Sequence, residues 1–223
     1  MDTHFPSEKM TDFLLTLIRR KVLYKKHSPF NGELVVIEDI FGKRLLAGGL
    51  SQSGPYIQKL WNFAVLKVRF EPKTVLVLGL GAGSCLVAIQ KKWPHAKITA
   101  VEIDPKMTEI GKEFFGLSAK DLHIHIQDAF DFVKKTGDKF DLVIIDLFSS
   151  DRFPKEAENN EFILYLKKKM SDKGYLIFNR LYFGKHRNPA QKYKKTLEKF
   201  FTTSSHVYPL FLPSNMLIFC KNQ

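Results

Sequence analysis

Cysteine is scarce in this chain. Its 223 residues contain two, Cys85 and Cys220, far apart and outside any Cys-x-x-Cys pair, so neither a disulfide framework nor a zinc motif is indicated. A reducing, cytoplasmic setting is the expectation. Long apolar runs are missing as well. The N-terminal stretch Phe13-Leu14-Leu15-Thr16-Leu17-Ile18, preceded by Asp2 and Glu8, is too short for a secretory signal or a membrane span, so neither export nor a membrane partner is expected. There is no internal repeat, no low-complexity linker and no Ser-His-acid or metal-ligand set. His123 and His125 fall on one strand face with no third ligand in view and read as surface or core residues, so no metal is expected.

What the chain does have is apolar content and positive charge. With 44% hydrophobic residues over 223 positions it can bury one sizeable core, which argues for a globular, enzyme-sized domain rather than disorder. Lys and Arg number 35 against 23 Asp and Glu, a net charge of +12 that would favour RNA or a membrane surface if it were clustered. The lysines instead recur as Lys25-Lys26, Lys91-Lys92, Lys134-Lys135, Lys167-Lys168-Lys169 and Lys192 to Lys195, mostly late in predicted helices. Cations suit the helix dipole there and face solvent, so nucleic acid is not an expected partner.

Periodicity divides the chain near residue 54. Residues 7 to 24 read as an amphipathic helix carrying Phe13, Leu14, Leu17, Ile18 and Val22, followed by β runs at 33–38 and 44–47 joined by the hairpin signal Asp39-Ile40-Phe41-Gly42-Lys43. Residues 1–54 thus form a small N-terminal helix and β-hairpin unit, and 55–223 the main domain. Pro55 opens a helix to about Phe70, which Pro72 ends. Strands are then predicted at 74–79, 97–102, 122–126, 140–146, 174–179, 206–211 and 215–220, alternating with helices at 84–92, 105–115, 129–135 and 158–169. The last two strands form an antiparallel pair across Leu212-Pro213-Ser214. This is the pattern of an α/β fold with a doubly wound, mostly parallel seven-stranded sheet, the class I methyltransferase-like architecture.

The most informative stretch is Val75-Leu76-Val77-Leu78-Gly79-Leu80-Gly81-Ala82-Gly83. Apolar β-formers feeding a glycine turn let the backbone pass close to a ligand, with Gly79, Gly81 and Gly83 leaving room that a Cβ would fill. Glu102 ends the next strand, 19 residues past Gly83, the separation usual for a carboxylate that binds ribose hydroxyls. Ligands of such sheets bind beyond the strand ends, where Ile103, Asp128 and Ala129 also fall. Asp128 is placed to accept from an adenine amino group or to cap the following helix, and both can hold together; Ile103 is available to pack on the ring. Asp104-Pro105 reads as a helix start. Cys85, in the first helical turn after the glycines, could have a lowered pKa but reads better as a small packing residue. Asp146, ending the buried run Phe140-Asp141-Leu142-Val143-Ile144-Ile145, is the catalytic candidate: it could take a proton from an amine attacking a carbon on sulfonium, or else pair with Arg152 or Arg180.

Over roughly residues 30–180 the chain resembles the spermidine synthase (polyamine aminopropyltransferase) family. The matching pieces are Leu46 to Gln52 after the hairpin, Val75 to Gly83, Val101-Glu102-Ile103-Asp104, Gln127-Asp128-Ala129 and Phe140 to Asp146. The resemblance implies that Gln52 contacts the amino-acid-like tail of an adenosyl donor, Glu102 the ribose and Asp128 the adenine. It also implies Asp146 as the base that activates an accepting amine, and a homodimer. Two departures matter. The family's glycine turn reads Gly-Gly-Gly-Asp-Gly, its aspartate holding the aminopropyl arm of decarboxylated S-adenosylmethionine, and here that position is Ala82. Its Asp-Ser-Ser-Asp-Pro motif becomes Asp146-Leu147-Phe148-Ser149-Ser150, with Ser149 in place of the second acid. The expectation is therefore a divergent member that binds S-adenosylmethionine and transfers its methyl group to a small acceptor, an amine among the candidates. The alternatives are an aminopropyltransferase using the decarboxylated donor, with the missing acids supplied by Asp151, Glu156, Glu158 or Glu161, and a non-catalytic nucleoside-binding protein.

Overall fold

The computed structural model describes residues 20–118, 121–148, 152–209 and 214–222. Four strands, β1 (Lys21–Ser28), β2 (Gly32–Asp39), β3 (Gly42–Ala47) and β4 (Leu50–Ser53), form an antiparallel sheet in sequence order. The expected helix over 7–24 lies mostly outside the described residues, and where it is described, at 21–24, the chain is strand. Backbone pairing of β1 with β2, from Lys21 opposite Glu38 to Ser28 opposite Gly32, overrides the local helical spacing.

Helix α1 (Pro55–Lys67) leads into the main sheet. There β5 (Thr74–Leu78), α2 (Ser84–Lys92), β6 (Lys97–Glu102), α3 (Pro105–Phe114), β7 (Leu122–Ile126), α4 (Ala129–Lys135), β8 (Phe140–Ile145), α5 (Asn160–Lys169) and β9 (Met170–Leu181) alternate. Helix α6 (Arg187–Leu197) and the strands β10 (Thr202–Tyr208) and β11 (Asn215–Lys221) close the chain. The sheet order is β10-β11-β9-β8-β5-β6-β7, parallel from β9 to β7 with an antiparallel β10–β11 pair at one edge. The doubly wound seven-stranded expectation holds, with strand ends shifted by a few residues and α6 added.

Alternate residues of each apolar strand serve opposite faces, which is why these strands read as continuous hydrophobic runs. Val75, Val77, Ile98, Ala100, Leu142 and Ile144 pack with α1 and α2, whereas Leu76, Leu78, Val101, Val143 and Ile145 pack with α4, α5 and α6. A third cluster joins Leu34, Val36, Leu45 and Ala47 of the small sheet to Met107 and Ile110 of α3. Among the described residues no helix is long and apolar enough to cross a membrane.

Candidate functional site

Strand β5 has β6 on one side and β8 on the other, so the chain reverses its winding beside β5 and leaves a crevice at the carboxyl ends of these strands. A cavity of about 680 Å³ opens there. It is bordered by Gly79, Leu80 and Gly81 after β5, Glu102 and Ile103 after β6, Gln127, Asp128 and Ala129 after β7, and Asp146 after β8, with Gln52 from β4. Every site residue expected from the sequence lines it except Gly83.

The glycines have different physical reasons. Gly79, at φ +83°, lies so close to the β8 loop that a Cβ would come within 2.8 Å of the Asp146 carbonyl carbon. Gly83, at φ +90°, would put its Cβ 2.8 Å from Leu117 Cδ1. At both positions a Cβ would meet protein, and Gly79 also borders the cavity. Gly81 alone in the turn meets open space, with Met107 Cε at 3.9 Å.

Glu102 ties the turn to the second strand. Its Oε2 accepts from the Gly81 N–H at 2.7 Å and its Oε1 from the Asp104 N–H at 3.0 Å. Burial pushes its pKa up, and these N–H groups pull it back. Each carboxylate oxygen keeps a second lone pair, enough to receive a pair of hydroxyls. Asp128 caps α4, its Oδ1 accepting from the N–H groups of Phe130 (2.8 Å) and Asp131 (3.0 Å). Asp104 caps α3 through Lys106 N–H at 3.0 Å, the helix-start role expected of it, but it does more. Fully buried, its Oδ2 accepts from Ser28 Oγ at 2.5 Å and Asn31 Nδ2 at 2.8 Å. This fastens the β1–β2 turn beside the crevice, where Phe30 and Asn31 line the cavity. Sequence reasoning missed both, since they lie more than 70 residues from their anchor.

Asp146, half-buried at the cavity, stands at the head of a polar chain. Asn179 Nδ2 donates to Asp146 Oδ1 at 2.7 Å, Asn215 Nδ2 donates to Asn179 Oδ1 at 2.8 Å, and the Tyr56 hydroxyl donates to Asn215 Oδ1 at 3.0 Å. Burial pushes the Asp146 pKa up to about 6; the Asn179 amide and the Trp61 indole oppose that, and the Glu102 charge adds to it. The Trp61 N–H acts here at a distance, because its geometry falls outside that of a hydrogen bond. Cys85 also borders the cavity, and burial together with Asp146 drives its thiol pKa well up, the reverse of the lowering its helix position suggested. Arg180 does not pair with Asp146; it binds Glu158 at 2.7 Å. The signal for Asn179 was present in the sequence as a polar residue ending the apolar run Leu176-Ile177-Phe178, beside Asp146 because Phe178 pairs with Ile145.

The charge around the cavity opposes that of the chain. Among the described residues its lining carries six carboxylates, Glu102, Asp128, Asp131, Asp146, Glu156 and Glu161, against one cationic side chain, Lys134. Ala82, in contrast, does not border the cavity: it is 1% exposed and packs with Leu34, Val36, Met107 and Ile110. Of the acids considered as replacements, Glu156 and Glu161 line the cavity, Glu158 is held by Arg180, and Asp151 lies outside the described residues. His123 and His125 sit on the edge strand β7, with the His125 ring 5.1 Å from that of Phe132.

Comparison with known proteins matches residues 55–222 to the spermine/spermidine synthase domain. A polyamine aminopropyltransferase of Vibrio vulnificus is 29% identical over 129 residues, covering 56% of this chain and 42% of that protein, so the chain spans less than half of that relative's length. An eEF1A lysine and N-terminal methyltransferase homolog of Drosophila melanogaster is 34% identical over 117 residues, 48% of this chain and 17% of its own length. The crystal structure of spermidine synthase from Thermotoga maritima superposes with a TM-score of 0.77 at 19% identity, over 91% of this chain and 73% of that one. The last likeness establishes the fold, class I methyltransferase-like, and no more.

Proposed function

The chain belongs to the spermine/spermidine synthase domain family, and from that premise we propose that it transfers an aminopropyl group from decarboxylated S-adenosylmethionine to an amine. The observation that carries this reading is the cavity's charge, six carboxylates against one lysine in a chain of net charge +12. The sulfonium and ammonium of such a donor are cations, as is an alkylamine at neutral pH, and a cleft lined by one sign of charge concentrates them. Ala82 gives methyl transfer less support than the sequence suggested. Its methyl packs with Leu34, Val36, Met107 and Ile110 and does not border the cavity, while Glu156 and Glu161 supply carboxylates there.

In this reading Glu102 accepts from the ribose hydroxyls, Asp128 from the adenine amino group, Ile103 packs on the ring, and Gln52 faces the donor's side arm. Asp146 takes the proton that the attacking nitrogen loses as its C–N bond forms and the C–S bond breaks, the electron pair passing to sulfur. A pKa of about 6 leaves Asp146 ionised at neutral pH yet basic enough for this role. Incubating the protein with putrescine and decarboxylated S-adenosylmethionine should yield spermidine and methylthioadenosine, with neither formed from S-adenosylmethionine.

Methyl transfer is the second reading, favoured by Ser149 in place of an acid and by the methyltransferase relative. Formation of adenosylhomocysteine from S-adenosylmethionine, with no spermidine from the decarboxylated donor, would decide for it. Tight nucleoside binding without any Asp146-dependent product would leave a binding protein. Family membership also suggests a homodimer, which sedimentation equilibrium tests.

A further inference from the structure

We propose that Arg180 and Tyr193 form a clamp that positions the segment 153–158, and that by fixing Glu156 at the cavity it selects acceptors carrying a second positive charge beyond the reacting nitrogen. The identity of the acceptor rests on the amine-transfer reading above; the clamp does not.

Three parts of a six-residue segment are held by these two side chains. The Arg180 guanidinium carbon lies 3.9 Å from the centre of the Phe153 ring, and its Nη2 lies 2.7 Å from Glu158 Oε1. The Tyr193 hydroxyl donates to the Ala157 carbonyl at 2.8 Å, while its own ring lies 4.7 Å from the Arg180 guanidinium and 5.5 Å from Phe153. Arg180 stands on β9 and Tyr193 on α6, 4% and 3% exposed, so both are fixed by the core. The segment has one 3-10 turn, Glu156–Glu158, with Ala157 buried in the core, and the Arg180 and Tyr193 contacts fix its two ends around that turn. It carries Pro154 and Glu156 to the cavity and leads directly into Asn159 and Glu161, which line it too.

Arginine at position 180 is a costly choice for packing alone. A buried guanidinium must be desolvated, and an apolar side chain between the same two rings would avoid that. Among the described residues its Nη1 has no hydrogen-bond partner, so the surrounding core is not built to satisfy the group. What arginine adds is a directed contact to a carboxylate on the segment, through a planar head that also stacks on Phe153. Arg180 does not itself border the cavity, and its effect passes through the segment: it is a positioning residue.

The test compares wild type with Glu158→Gln, which breaks the ion pair at a half-exposed position, and with Arg180→Lys, which keeps the charge but loses the planar stack. Putrescine serves as the doubly charged acceptor and butylamine as the singly charged control, with methylthioadenosine as the nucleoside probe. Glu158→Gln should raise the KM for putrescine about fivefold or more, with kcat, the butylamine KM and methylthioadenosine affinity within about twofold. Amide exchange over 153–158 should speed by about tenfold in the same variant. Arg180→Lys should fall between the two. Should an Arg180 change fail to fold, the double variant Arg180→Met with Glu158→Gln leaves no buried unpaired charge and should show the Glu158→Gln phenotype. Unchanged exchange and an unchanged putrescine KM in Glu158→Gln overturn the clamp, and so does an equal loss for butylamine and putrescine. A wild-type protein that binds methylthioadenosine but accepts no amine overturns the acceptor reading, while the exchange measurement still decides the clamp.

Discussion

Replacing Asp146 by asparagine separates the cost of the carboxylate from its use. The folded protein holds this group at a pKa of about 6, against 3.8 for a free side chain, and burial is the main cause. A gap of about 2 units corresponds to about 3 kcal/mol between the two protonation states. The sign follows from linkage: the folded state binds the proton more tightly, so the favourable contribution is complete below pH 3.8 and is lost as pH rises through about 6. Asparagine carries no charge and can still accept from Asn179 through its own Oδ1, so Asp146→Asn should match wild-type stability near pH 4. At pH 7 and above it should exceed it by up to about 3 kcal/mol, which for a chain of this size is roughly 6–12 °C in Tm. Turnover should fall by about 10²–10⁴, the range for losing a general base. Thermal melts at pH 4, 5.5 and 7.5, beside initial rates, check both. A stability difference independent of pH, or an asparagine variant that keeps its rate, would refute the assignment of Asp146 as a strained, working base.

The wild-type rate should rise with pH on a limb centred near 6, read from kcat/KM profiles. Asn179→Leu removes the amide that lowers the Asp146 pKa, so the same limb should move to higher pH; an unmoved limb would show that Asn179 does not hold the carboxylate. Gly79→Ala should abolish soluble expression or cost several kcal/mol, about 1 from the left-handed φ and the rest from the collision with the Asp146 backbone, as denaturant titration would report. Asp104→Ala should destabilise by roughly 3 kcal/mol, a lost cap plus two orphaned buried donors, and should weaken nucleoside binding in calorimetry because Phe30 and Asn31 lose their anchor.

Part of the site was legible because its chemistry is local. The Val75 to Leu78 strand, the glycine turn and Glu102 lie within 28 residues and form one strand-turn-helix-strand unit, whose spacing alone brings an acid to the turn. Asp128 and Asp104 were readable as caps for the same reason. Helix α6 was not, since its buried residues are only Ala190, Tyr193 and Leu197 in an otherwise polar, lysine-rich segment, a stripe too thin to register as amphipathic. Residues 21–24, read as the end of a helix, are the start of strand β1, because pairing with β2 decides their conformation more than the residues themselves do.

The sequence by itself determined the doubly wound sheet and the acids at its strand ends, because apolar alternation, glycines and capping residues act over short spans of chain. Only the tertiary structure decided that Ala82 packs among apolar residues, that Phe30 and Asn31 reach the cavity through Asp104, that Asn179 meets Asp146 while Arg180 meets Glu158, and that Glu156 and Glu161 make the crevice acidic. These depend on how separate segments pack against one another, through contacts spanning 33 to 76 residues of chain for the Asn179 and Ser28 hydrogen bonds, and no local pattern specifies such distances.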